Sequence, residues 1–495
     1  MAFALLALPG RGAAQEPARL SLPEAVERAL AQFPSVEAAR ARGEEAAAAV
    51  GEARAGRGPR GRVTGSVTQY QEPMVVTPIH GFGAGLFPEF DETLGQATLT
   101  VSYTLFDSGA TAARVRSAGA QRDAAGAALG SAEQLLARRV AAAFLTAVGQ
   151  RQVVLAHDQR LEALRAELSR VQLRFEVGRA AQVEVLRAEA AVASAEAERV
   201  RLAAALDNSE RELARLIAAP VEETRSDRLA RVEIIEPQTP VREVLIEEGI
   251  AVSPAVAQAR AQVLAAEAQV AIERAIVRPD LRAVGNYNEW TSSQGNFTGE
   301  WNAGFQVTVP LFDGGVTRSR IARAEAAHRA AQEQVRLAEI QVREEVDRAA
   351  AALEEAEARG ASLAKAVERS TEVVRIQKLL LDEGAGTQTD YLSSEAELLT
   401  ARASLADARH AAILARVDLA RAAGMLTPEW LRANLSSPPG PLSHRTPPDR
   451  ERGNETGIEE HGRKHSRLMS VPPLPGAGRR PEGVRWERGP GGEEP

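Results

Sequence analysis

The chain has 495 residues, 60 Lys and Arg against 67 Asp and Glu, a net charge of −7 and no cysteine. That composition excludes disulfides, thiolate metal sites, a cysteine nucleophile and a lipidated N-terminal cysteine. A mildly acidic chain with no basic stripe also argues against a nucleic-acid partner, and no stretch reaches the ~18 apolar residues of a membrane-spanning helix.

Ala2 to Leu8 is an apolar run followed by Pro9-Gly10 and Gly12-Ala13-Ala14. It has the form of the end of a secretory signal over residues 1–14, without the basic region that usually precedes it. A first structural unit, 15–219, opens with a helix predicted from Leu22 to about Ala53. Pro59 then marks the change to strands, Arg62 to Gln71 and Gln96 to Phe106, the strand pair 62–106. Both alternate apolar and polar residues, so each has one face of each kind. Each is about ten residues, close to the ~9–11 that cross a bilayer when tilted. Gly81 to Gly85, in the long connection Glu72 to Gly95, is no phosphate cradle because no helix follows it; an external loop is expected. From Ser108 to Phe175 there is no proline, and good helix formers dominate. Leu161, Leu164, Leu168, Val171 and Phe175 form a coiled-coil seam. At 1.5 Å per residue this helix is about 100 Å long. Gly178 is placed to cap it, and a helix about half as long follows, Gln182 to Ile217.

Residues 220–240, bounded by Pro220 and Pro240, are expected to be a linker. The second unit, 241–426, repeats the plan. It has a helix from Val241 to Ile276, strands Leu281 to Trp290 and Trp301 to Val309 (the pair 281–309), a long helix from Thr317 to Leu381 and a shorter one from Thr389 to Ala423. Gly384 ends the long helix, and Thr387 with Asp390 offers a capping box for the next. Residues 427–495 are expected to be disordered; from Ser436 on they are rich in Pro, Gly and charge. His461 and His465 lie there at helical spacing, but nothing further converges on them, so no metal site is assigned. No catalytic constellation or cofactor motif is present, and no enzyme activity is expected.

Short motifs recur at matching places. Tyr103-Thr104-Leu105-Phe106-Asp107-Ser108-Gly109 answers Val309-Pro310-Leu311-Phe312-Asp313-Gly314-Gly315, Glu176-Val177-Gly178 answers Asp382-Glu383-Gly384, and Phe33-Pro34-Ser35-Val36 answers Val252-Ser253-Pro254-Ala255-Val256. Duplication on this scale means two similar units in quasi-equivalent places. Four strands cannot close a barrel, since the smallest spanning ones have about eight, and open edges are not tolerated in lipid. A homo-oligomer follows if the strands cross a membrane. Tyr70, Tyr103, Tyr287, Trp290 and Trp301 are then candidates for interfacial aromatic girdles; for the strands taken alone, an ordinary soluble hairpin is the alternative.

With its duplicated Leu-Phe-Asp-x-Gly signatures and its paired tips at Gly178 and Gly384, the layout from about Leu20 to Met425 resembles the TolC-like outer-membrane efflux factor family. The resemblance implies a mainly α fold with membrane β. Duplicated helical hairpins form a periplasmic tunnel, and four strands per chain enter a barrel shared by a homotrimer in the Gram-negative outer membrane. It implies a passive exit duct working with a periplasmic adaptor and an inner-membrane pump of the resistance-nodulation-division or ABC type. An ABC partner corresponds to protein secretion; a non-channel periplasmic coiled-coil scaffold is the rival reading. The family's gating acid falls on Asp390, which is equally placed to serve a helix dipole. A second acid and a tip arginine of the best-known pattern are here Ser393 and Gly386, so that pattern's salt-bridge lock is not expected. Gly178, Leu186, Gly384 and Leu392 are the adaptor-contact candidates, because only the tips reach the far end of the tunnel; a plain glycine cap and core leucine is the alternative.

Overall fold

The computed structural model describes residues 19–76, 89–235, 241–295 and 297–436. The signal, the glycines of the long loop and the two tail histidines lie outside the described residues.

The repeat is exact in helix length. Helices α1 (Leu22–Gln32) and α2 (Pro34–Ala55) match α5 (Arg242–Val252) and α6 (Pro254–Ala275) at 11 and 22 residues. The long α3 (Ala110–Glu176) and α7 (Val316–Asp382) have 67 residues each, and α4 (Gln182–Leu216) and α8 (Gln388–Ala422) have 35. The expected single helices Leu22–Ala53 and Val241–Ile276 are therefore each two. The break falls before proline, which pushes the preceding residue out of the helical region. Phe33 has ψ 130° and Ser253 ψ 125°. Ser21 starts α1 with a reciprocal capping box, its backbone N–H donating to Glu24 Oε2 at 2.9 Å.

Strands β1 (Arg60–Val75), β2 (Phe90–Phe106), β4 (Asp280–Ser292) and β5 (Phe297–Thr308) form one antiparallel sheet in the order β1-β2-β4-β5. They run longer than the alternation suggested, so both hairpins extend into the expected loops. A short β3 (Glu233–Ile234) pairs with β6 (Leu435–Ser436), and α9 (Pro428–Asn434) precedes β6. The first ten residues of the segment expected to be disordered are thus ordered. Leu431 and Leu435 are buried in the main core, α9 packing on α1, and Thr427 caps α9 through the Trp430 N–H at 3.2 Å. The described part of the linker is tied down too: Leu20 bridges Leu229, and Ser226 N–H donates to Glu210 at 2.8 Å.

Each long helix packs on two shorter ones in succession. On the strand side α3 lies against α2 and α6, and on the tip side against α4 and α8. The main core sits halfway along α3, where Leu136, Val140 and Phe144 meet α1, the end of α4 and the end of α8. The matching core on α7 gathers Val342, Val346 and Leu353 with Leu245, Val256 and Leu419. No helix among the described residues is long and apolar enough to cross a membrane.

Candidate functional site

Cross-strand pairing assigns the faces of the sheet. Val63, Leu99, Tyr287 and Trp301 form one row, and Tyr103, Ala283 and Phe305 another, all on the odd-numbered face. The even face is polar and hydrogen-bonded across strands. The Thr100 hydroxyl donates to Asn286 at 2.9 Å, the Asn286 amide to Asn302 at 3.0 Å, and the Thr98 hydroxyl to Asn288 at 2.9 Å. Apolar-out, polar-in alternation is the mark of a membrane barrel stave. Tyr103, Tyr287 and Trp301 lie on the apolar face as girdle residues require. Trp290 does not: it pairs with Gln96 and Thr298, on the polar face. Tyr70 lies in the register irregularity between Gln69 and Met74 and has no cross-strand partner there. The Trp290 placement is a correction, and the reason is parity, because a one-residue step along a strand reverses the face. The apolar face also carries Glu289, which accepts a 2.6 Å hydrogen bond from Tyr287. The two side chains lie over Gly299, where a Cβ would stand 2.5 Å from the Tyr287 hydroxyl.

Where each hairpin returns to helix, the duplicated signature makes the same turn. Asp107 accepts the N–H of Gly109 at 3.1 Å and of Thr111 at 2.6 Å; Asp313 accepts those of Gly315 at 3.0 Å and Thr317 at 2.8 Å. Gly109 and Gly315 both have φ 88°, the left-handed region glycine tolerates. The aspartate satisfies first-turn donors that have no intrahelical partner. Burial raises the Asp107 carboxyl, but the Thr111 hydrogen bonds outweigh it and hold it below the usual range; the Thr317 bonds lower Asp313. The chemistry of this motif is therefore a strand-to-helix turn.

At the far end, Gly178 (φ 72°) and Gly384 (φ 78°) close α3 and α7 with the same pair of hydrogen bonds. Arg179 N–H reaches the Arg174 carbonyl at 2.7 Å, and Ala385 N–H reaches Leu380 at 2.9 Å. Asp390 is exposed and accepts the Thr387 hydroxyl at 2.6 Å, while Thr387 caps the Asp390 N–H at 3.2 Å. This is half of the expected capping box. Glu184 supplies the other half in the first tip, accepting the Ala181 N–H at 3.3 Å. Leu186 is 55% exposed. Leu392, by contrast, is partly buried against Leu161, Leu164 and Ala195, so it belongs to the tip's own packing. Sequence reading missed the contacts that tie the two tips together: Arg170 with Asp382 at 3.2 Å and Arg187 with Thr389 at 3.4 Å. Beside them the buried Tyr391 donates to Glu395, and burial with that carboxylate pushes its phenol up to about 12.

A model of the outer membrane efflux protein family matches residues 25–219 and 245–425. BepC, an outer membrane efflux protein of Brucella suis, is 29% identical over 367 residues, covering 72% of this chain and 78% of its own length. CyaE of Bordetella pertussis is 30% identical over 263 residues; that match spans 48% of this chain and about half, 52%, of CyaE. The crystal structure of the outer membrane protein VceC from Vibrio cholerae superposes with a TM-score of 0.66 at 23% identity, covering 81% of this chain and 96% of that one. The chain belongs to the outer membrane efflux protein family, and it is an outer-membrane channel component of an efflux system.

Proposed function

We propose that three copies of this chain close one barrel and one helical tunnel, which serve as the passive exit duct for an inner-membrane pump and a periplasmic adaptor. The observation that carries it is the open sheet. Strands β1 and β5 are both unpaired edges among the described residues, and their outward face is apolar. Beyond β5, Leu311 and Phe312 are each 92% exposed. Lipid does not tolerate such edges, so the end of β5 meets the start of β1 in another copy.

The internal repeat sets the register of that seam. Val63 pairs with Leu99 in the first hairpin as Ala283 pairs with Phe305 in the second, and the two hairpins join through Leu99 with Tyr287. Carried to the seam, the same rule pairs Phe305 with Val67 of the next copy. It also sets Val307 beside Gly65 and Gln306 beside Ser66, keeping apolar with apolar and polar with polar. Cysteines at 305 and 67 are expected to crosslink between chains, and cysteines at 305 and 63 are not. A water-soluble single chain without detergent, or no crosslink at any register, would refute the shared barrel.

At the tips, Gly178, Leu186 and Gly384 are proposed to face the adaptor, with Leu392 supporting them from inside. Asp390 is proposed to line the constriction, one carboxylate per copy favouring cations. Asp390→Asn should then remove cation preference in single-channel recordings.

A further inference from the structure

We infer that the base of the barrel carries an arginine collar that binds solutes bearing clustered phosphate or carboxylate groups as they pass. This rests on the duct reading, since assembly is what turns the polar face of the sheet inward.

The observations begin in a cavity of about 680 Å³ where the sheet meets the helices. Arg60, Arg114, Arg278 and Arg282 line it, against Glu52, Asp107 and Asp280. Asp107 is committed to the N–H groups of Gly109 and Thr111, and Asp280 faces Arg282 at 3.4 Å. Arg60, Arg114 and Arg278 are exposed and make no close ion pair among the described residues, although the Arg114 charge also helps to hold the Asp107 carboxyl low. Just above them on the same polar face stands Arg62, paired with Thr100 and likewise free of any ion pair among the described residues.

The repeat turns this cluster into a ring. The position of Arg62 opposite Thr100 is that of Arg282 opposite Gln306 in the second hairpin. Arg114, five residues past the Gly109 turn, has its match in Arg320, five past Gly315. Both halves thus place an arginine at the equivalent position of their hairpin on the polar face and a second on the first turns of the long helix. Within the four-stranded sheet Arg62 pairs with Thr100, and Arg282 pairs with Thr104 and Gln306, with Asp280 as the carboxylate beside Arg282. Closed into a ring, the repeated arginines form a band of positive potential in a walled lumen, which concentrates anions and is weakened by salt. Guanidinium groups recognise phosphate and carboxylate by paired hydrogen bonds. The composition gave no hint of this, because the arginines are scattered through the sequence and gathered only by the register.

The test is equilibrium binding of tripolyphosphate to the full chain in detergent, by calorimetry at low and at physiological salt. Wild type is expected to bind, more weakly as salt rises. The variant Arg62→Gln/Arg282→Gln should bind at least about tenfold more weakly, with its thermal unfolding unchanged. Arg336→Gln, remote on α7, should bind as wild type. No binding by wild type at low salt, or equal binding by the double variant, would overturn the collar. Conductance in planar bilayers separates this from the duct itself: binding without any conductance sinks the duct, and conductance with unaltered variant binding sinks the collar.

Discussion

The two repeats are built alike and live differently. Helices α3 and α7 have equal length, begin after the same aspartate turn and end at the same glycine cap. Yet α3 buries many side chains, whereas α7 buries far fewer. The signatures tell the same story: Leu105 and Phe106 are 47% and 56% exposed beside β4, and Leu311 and Phe312 are 92% exposed with no strand beside them. What the first repeat obtains from the second, the second lacks within its own chain. Incompleteness of one half, rather than any chemical group, is what the proposed assembly rests on.

The cores test that comparison most severely. Leu136, Val140 and Ala147 on α3 correspond to Val342, Val346 and Leu353 on α7, while Phe144 corresponds to Ala350. The large side chain has moved by one turn between the copies. Phe144→Ala should therefore cost about 3–5 kcal/mol, read as a fall in the unfolding midpoint in detergent, whereas Ala350→Gly leaves no comparable cavity. Equal losses would mean that α7 is as enclosed as α3.

The glycine caps should behave alike, because their surroundings are alike. Gly178→Ala and Gly384→Ala each force a side chain into the left-handed region, at about 1–2 kcal/mol. A large difference between them in thermal unfolding would show that one tip is restrained by something beyond the cap. The aspartate turns should differ slightly. Asp107→Asn is expected to lose about 1 kcal/mol, within the range of a helix cap, and Asp313→Asn less, since Asp313 is more exposed. The folded Asp107 carboxyl lies below its ordinary value of 3.8. Its contribution is complete above that value and disappears as pH falls through the folded one. Wild type and Asp107→Asn should therefore converge in acid; a gap that widened on acidification would contradict the turn. The smallest effect is expected at Leu186, where Leu186→Ala should leave stability within about 0.5 kcal/mol and show itself only in adaptor binding.

Much of this was legible in the chain. Period two named the strands, proline-free Ala-rich runs gave the long helices, and repeated motifs gave the duplication, because these signals depend on near neighbours. The sequence also located the two tips, since a glycine cap is a local backbone requirement. The helix breaks at Phe33 and Ser253 were equally local and are explained by the prolines that follow. Other features depend on distant segments meeting. Sheet parity moved Trp290 off the apolar face, packing took Leu392 into the tip, and α9 was ordered because it packs on α1 and Leu431 enters the main core. By itself the sequence determined the elements, their order and their doubling, because these follow from backbone preference and hydrophobic period. Only the tertiary structure decided which faces point together, which edge stays open and which arginines gather at the base of the sheet, because those are set by register between strands nearly two hundred residues apart.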